Sequence, residues 1–183
     1  MIEENSARPP VDPHSVPPGV AEQDGIATAP SAEGVRGATT YDASGLEPLS
    51  DAEFWPVIDL LGGRFWQKTI ESTERELARR DDQQILRWEE TVGLKALALD
   101  NVIDFGVDAL WAIGATIGKG QVIFEAVLAD ADVFEPKWMN DNSWSVLTIG
   151  SGALWRRHGE VEIVTSFTPT RSRLFHLAYP DLR

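Results

Sequence analysis

The stretch Val107–Asp130 reads VDALWAIGATIGKGQVIFEAVLAD and is apolar on nearly every side of any helix drawn through it. A helix without a polar face belongs in the middle of its domain. Gly118 and Gly120 bracket Lys119, and two glycines so close predict a break there. The expectation is a pair of buried helices joined at Gly-Lys-Gly, with the rest of the chain packed around them.

Toward the N-terminus, periodicity predicts three more helices. Ser50 and Glu53 fit a capping box, in which a hydroxyl and a carboxylate satisfy the orphan amides of a helix start. Phe54, Ile58 and Leu61 then share a face, Pro56 predicts a kink or a delayed start, and Gly62 and Gly63 end the helix. A second helix is expected over residues 64–80, with Trp66, Ile70, Thr73 and Leu77 as its inner stripe. Asp81 or Asp82 caps the third, where Ile85, Trp88, Val92 and Leu99 recur on one side.

Toward the C-terminus, Asp130 to Asn142 reads as a polar loop. Ser143–His158 reads as a helix with Trp144, Leu147, Leu154 and Trp155 inward. Arg156, Arg157 and His158 precede Gly159, and cations followed by glycine suit a helix end. The competing reading is two strands about Gly150-Ser151-Gly152, since each glycine weakens a helix. Beyond it, Val161, Ile163 and Phe167 fall at near-alternate positions, TPTRS follows as a turn and RLFHLAY as a return strand, so a β-hairpin is expected over about 160–180.

The start of the chain has a different character. Seven of the eleven prolines lie in the first 50 residues, with eight acids and only two bases among Ser, Ala and Gly. Such a segment buries too little apolar surface to offset its ordering entropy. The expected organisation is a disordered, acidic, Pro-rich leader over 1–47, then a single mainly α domain over 48–183. That domain is read as a compact multi-helix unit, helical over about 49–159, with the hairpin last.

Composition narrows the function classes. The chain has 183 residues, a formal net charge of −13 and no Cys, so disulfides and thiolate chemistry are excluded. Nucleic-acid binders draw affinity from phosphate neutralisation by bases, which this charge opposes. No apolar run approaches the roughly 18 residues of a membrane span. The opening MIEENSARPP lacks the basic start and apolar run of a secretory signal. A cytoplasmic protein is expected, and 12 Arg against 4 Lys beside abundant Ala and Gly hints at a bacterium. The seven Trp are read as core packing. Residues 151–183 carry five bases and three acids, so this positive segment is expected to lie on an acidic face of the same molecule.

Motif by motif, catalytic chemistry finds no pattern to rest on. GATIGKGQ lacks the Gly spacing and the hydroxyl of a phosphate-binding loop, and its context is helical. IGSGA lacks the G-x-S-x-G of a nucleophile elbow. ADADVFE begins like a calcium loop, but Phe134 and Glu135 replace the later ligand and the required glycine. His14, His158 and His176 show no metal-ligand spacing, so neither metal nor cofactor is expected. Asp104, Asp108 and Glu125 flank the buried helix pair. Paired carboxylates do acid–base work when burial separates their pKa values, and otherwise serve to cap and charge a helix N-terminus.

One pattern resembles a known family. Phe124-Glu125-Ala126-Val127-Leu128-Ala129-Asp130-Ala131-Asp132, after a break at Gly120, is similar to the hallmark segment of the bacterial domain of unknown function 4240. Asp104-Phe105-Gly106-Val107-Asp108 resembles its Asp-Asp-Gly-Phe-Asp stretch, with Phe105 in place of an Asp, and Ala131 stands where the family has Pro. Phe54-Trp55 with Ile58, Ile85 to Trp88, and Ala153 to Gly159 are similar to further family segments, so the resemblance covers about residues 49–159. It implies a mostly helical bacterial protein and a helix over 143–158; it implies no reaction.

The functional expectation is therefore a non-catalytic protein-binding module. Its acidic surface would engage a basic protein partner, in the manner of an immunity protein or antitoxin. The alternative is a small enzyme using Asp104, Asp108 or Glu125 in a cleft.

Overall fold

A computed structural model describes residues 38–103 and 106–178. The expected disordered leader falls on residues 1–37 for most of its length, and Asp104 and His14 also lie outside the described residues. Among the described residues, seven α-helices and two short strands run in the order β1 (Thr39–Asp42), α1 (Asp51–Asp59), α2 (Gln67–Leu77), α3 (Asp82–Asp100), α4 (Ala109–Gly118), α5 (Gln121–Ala129), α6 (Ile149–His158), β2 (Val161–Val164) and α7 (Thr168–Ala178). The mainly α expectation is what the structure has. No helix among the described residues is long and apolar enough to cross a membrane.

Every residue of α4 except Trp111 is buried, as a helix without a polar side must be. It packs against the 3₁₀ segment Ser143–Thr148, against α3 and α5, and against α1 and α7. The break to α5 falls at Gly-Lys-Gly: Gly120 has φ +94°, a conformation that favours glycine, and the Lys119 ammonium reaches the Gly63 carbonyl at 2.9 Å. α5 differs from expectation. Only Phe124 and Val127 are buried, and Val122 is 79% exposed.

The predicted caps form. The Glu53 carboxylate accepts from the Ser50 amide at 3.0 Å and from its hydroxyl at 2.7 Å. Asp81 accepts from the Gln84 amide at 2.8 Å. Pro56 does not delay α1, which starts at Asp51. Its missing N–H costs the Ala52 carbonyl a partner, but both residues are exposed to solvent. Ile70, Thr73 and Leu77 line the buried side of α2, whereas Trp66, expected inward, is 60% exposed under the Arg64 guanidinium. Trp144 and Trp155 are likewise exposed rather than inward.

Two expectations need correction. The first is the boundary at 47. Thr39–Asp42 pairs in parallel with Val161–Val164, in the register Thr39 with Val161 through Asp42 with Val164, and Ala43 is fully buried. This strand therefore belongs to the fold. Its partner lies at the far end of the sequence, so no local signal marks it.

The second is the hairpin. β2 pairs with β1 and not with a later strand, and TPTRS opens α7 instead of turning a hairpin. Pro169 fits the first helical turn, where its missing N–H is an orphan in any case. The Thr168 hydroxyl accepts from the Thr165 amide at 2.8 Å, closing the entry. Phe167 and Leu174, both buried, are spaced for two helical turns and not for a strand.

Ser143–His158 resolves to a 3₁₀ segment followed by α6. The glycines that argued for strands have a packing reason. A Cβ at Gly150 would collide with the Glu89 side chain, and one at Gly152 with Glu74. The helix carries glycine where two acids from α3 and α2 press against it. Its basic end docks as the charge asymmetry predicts. Arg156 binds Glu74 at 2.7 Å, Arg157 binds Asp82 at 2.8 Å, and from α7 Arg173 binds Asp100 at 3.0 Å.

Candidate functional site

A largely apolar cavity opens between α4, the 3₁₀ segment before α6, β2 and α7, with a volume of about 370 Å³. Its walls are Leu110, Trp144, Leu147, Val161, Ile163 and Phe175. Thr148, Ser151, Glu162, Arg171, Ser172 and His176 add polar groups. Each element contributes for a local reason. β2 is held beside α7 through Glu90 of α3, which is buried and accepts from the Ser166 amide at 2.8 Å, from the Ser166 hydroxyl, and from the Gly45 amide at 3.1 Å. One carboxylate thus fixes both the turn after β2 and the turn after β1.

Glu89, the neighbour of Glu90, lies behind the cavity. It is 2% exposed and accepts from the Ser151 amide at 2.9 Å. Ser151 is the third residue of α6, so Glu89 caps that helix from across the core. Burial pushes its carboxyl up to about 7, against the lowering effects of the Ser151 amide, the Arg171 guanidinium and the Gly150 amide. Thr91 completes a polar run on α3: its hydroxyl accepts from the Leu49 amide at 2.8 Å and donates to the Arg87 carbonyl at 2.6 Å.

None of these residues is among the carboxylates singled out from the sequence. Asp104 lies outside the described residues. Asp108 stands at the N-cap position of α4 without a side-chain cap bond and is exposed. Glu125 is exposed on α5, accepting from Gln121 at 2.7 Å. Asp108 lines a shallow basin of about 410 Å³ with Trp111, Pro136, Met139, Asn140 and Asp141, which Glu125 does not join. A signal for Glu89 is present in the sequence: Ile85, Glu89, Val92, Ala96 and Leu99 follow alternating spacings of four and three, the spine of a buried helix face. Reading Trp88 in place of Glu89 hides it.

Among the described residues, no three His, Asp or Glu side chains converge as a metal site would require. No protein-family model, curated protein or solved structure matches this chain.

Proposed function

We propose that the protein is a non-catalytic binding module, and that the cavity between α4, α6, β2 and α7 takes its ligand, a small molecule with an apolar body. The supporting observation is the make-up of that cavity. Six apolar side chains line it together with six polar or charged ones, the mixture of apolar surface and polar groups found in small-molecule sites. Its volume of about 370 Å³ accommodates roughly a dozen non-hydrogen atoms, at ~30 Å³ for each water-sized group. Ligand-observed NMR with a set of apolar fragments and the full chain tests this reading. Fragments are expected to bind and to be displaced by Ser172→Trp, a substitution at an exposed lining position. A screen in which nothing binds, or in which that substitution changes nothing, would sink it.

An acidic surface meeting a basic protein, as in an immunity protein or antitoxin, is the second reading. The basin favours it: exposed Asp108 and Asp141 flank Trp111, and carboxylates beside an aromatic face suit a Lys or Arg side chain. Exposed Glu125, Asp130, Asp132 and Glu135 follow in the adjoining sequence. Purification of the tagged chain from its own cells at low salt should bring down a stoichiometric basic partner. The charge reversal Asp108→Lys with Asp141→Lys should release it. A lone protein, or a partner indifferent to the reversal, counts against this reading. Acid–base catalysis at the same basin stands third, since its two carboxylates are exposed and have no apolar cover.

A further inference from the structure

We infer that the cavity selects a small monocarboxylate, its apolar body against Leu147, Ile163 and Phe175 and its carboxylate on the guanidinium of Arg171. This rests on reading the cavity as a ligand site and names the class of ligand.

The first observation is what Arg171 lacks. It is partly buried on the cavity wall, yet its side chain makes no hydrogen bond or ion pair among the described residues. The other bases of this part of the fold are all engaged, Arg156 with Glu74, Arg157 with Asp82 and Arg173 with Asp100. A guanidinium offers five N–H donors in a rigid fork that matches a carboxylate edge. Held partly out of water with no hydrogen-bond acceptor among the described residues, and acting on Glu89 only through space, its fork can receive a ligand.

The second observation is charge. In a chain of net −13, this wall carries one formal cation, Arg171, and one acid, Glu162, which is exposed. Glu89, which feels the Arg171 charge, is committed to the Ser151 amide. Burial pushes its carboxyl up to about 7, so below that pH it is mostly protonated and cancels little of the Arg171 charge. The wall is formally neutral in a strongly acidic protein, and its one cation is partly buried where its one acid is exposed.

The third observation sets the ligand's charge and shape. A single guanidinium fork serves one carboxylate. A phosphate dianion would keep one charge beyond the single guanidinium, and desolvating that charge against six apolar side chains would cost more. The hydroxyls of Ser151 and Ser172 line the same cavity and add polar contacts without charge.

The test uses the full chain with 3-phenylpropionate and its uncharged counterpart 3-phenylpropionamide, titrated by isothermal calorimetry at neutral pH and low salt. The acid should bind at least tenfold more tightly than the amide. Arg171→Gln should remove that preference and keep the affinity for the amide, which shows that the cavity is intact. The Arg171 Nε–Hε resonance of the unsubstituted protein should move with the acid and not with the amide, a readout that needs no variant to fold. Equal affinities for acid and amide would overturn the assignment to Arg171 and leave the ligand-site reading standing. Absence of binding by either compound would overturn both.

Discussion

Two cations in this fold face aromatic walls, and the chain treats them differently. The Lys95 ammonium lies 4.6 Å from the Trp55 ring, 5.0 Å from Phe124 and 5.2 Å from Phe54, and it pairs with Asp51 at 2.8 Å. α3 supplies the cation, α1 the acid and two rings, and α5 the third ring, so this enclosure is filled from within. Arg171 shares its wall with Trp144 and Phe175, and among the described residues its guanidinium makes no ion pair or side-chain hydrogen bond. The difference separates two tasks. The Lys95 cluster joins three helices and holds the fold; the Arg171 cavity leaves its charge available.

Aromatic truncation should break this comparison first. Trp55, 4% exposed, touches Phe54 and Phe124, and Trp55→Ala should cost about 3–5 kcal/mol in urea denaturation. Phe175 is 42% exposed, and Phe175→Ala should cost no more than about 1 kcal/mol. Similar losses at the two sites would mean that the cavity wall is as structural as the Lys95 cluster.

Glu89 sharpens the comparison, since it sits on α3 like Lys95 but behind the cavity. Its carboxyl is raised from 4.5 to about 7 in the folded chain, so between those values the folded state holds a proton that the unfolded state has released. The contribution to stability is fully present below about pH 4.5, falls as pH rises and levels off above about 7, for a total of about 3 kcal/mol at most. Glu89→Gln keeps an acceptor for Ser151 and should flatten stability across that window. A variant with the slope of the unsubstituted chain would remove Glu89 as its source.

Substituting the cations themselves contrasts the two sites directly. Lys95→Met removes a cation that is stacked on three rings and paired, and should cost about 1–2 kcal/mol by thermal or urea denaturation. Arg171→Met breaks no bond within the described chain and should stay within about 0.5 kcal/mol. A larger loss at Arg171 than at Lys95 would invert the assignment of roles.

Much of the helical frame was legible because its signals are local. The Ser50–Glu53 box, the Asp81 cap, the Gly-Lys-Gly break and the uniformly apolar α4 each depend on residues within a turn or two. β1 and α7 were not legible for the opposite reason. A four-residue strand whose partner lies at the other end of the chain leaves no local trace. The start of α7 reads as a turn because Thr, Pro and Ser serve both turns and helix entries. The site was harder still. Acids chosen for flanking an apolar run proved exposed where they are described, whereas Glu89 and Glu90 took part by reaching across the core, a relation that sequence spacing records only for Glu89.

The two-stranded sheet carries a kinetic corollary. Val161 and Ile163 of β2 wall the cavity, and β2 is paired only with Thr39–Asp42 from the opposite end of the described chain. Closing so long a loop is entropically slow compared with forming helices and their neighbours' contacts. The helices therefore have time to assemble before the two ends meet, and the cavity takes its final form at that last step. A ligand there would report that the chain has finished folding, and by binding only the finished form it would hold the ends together.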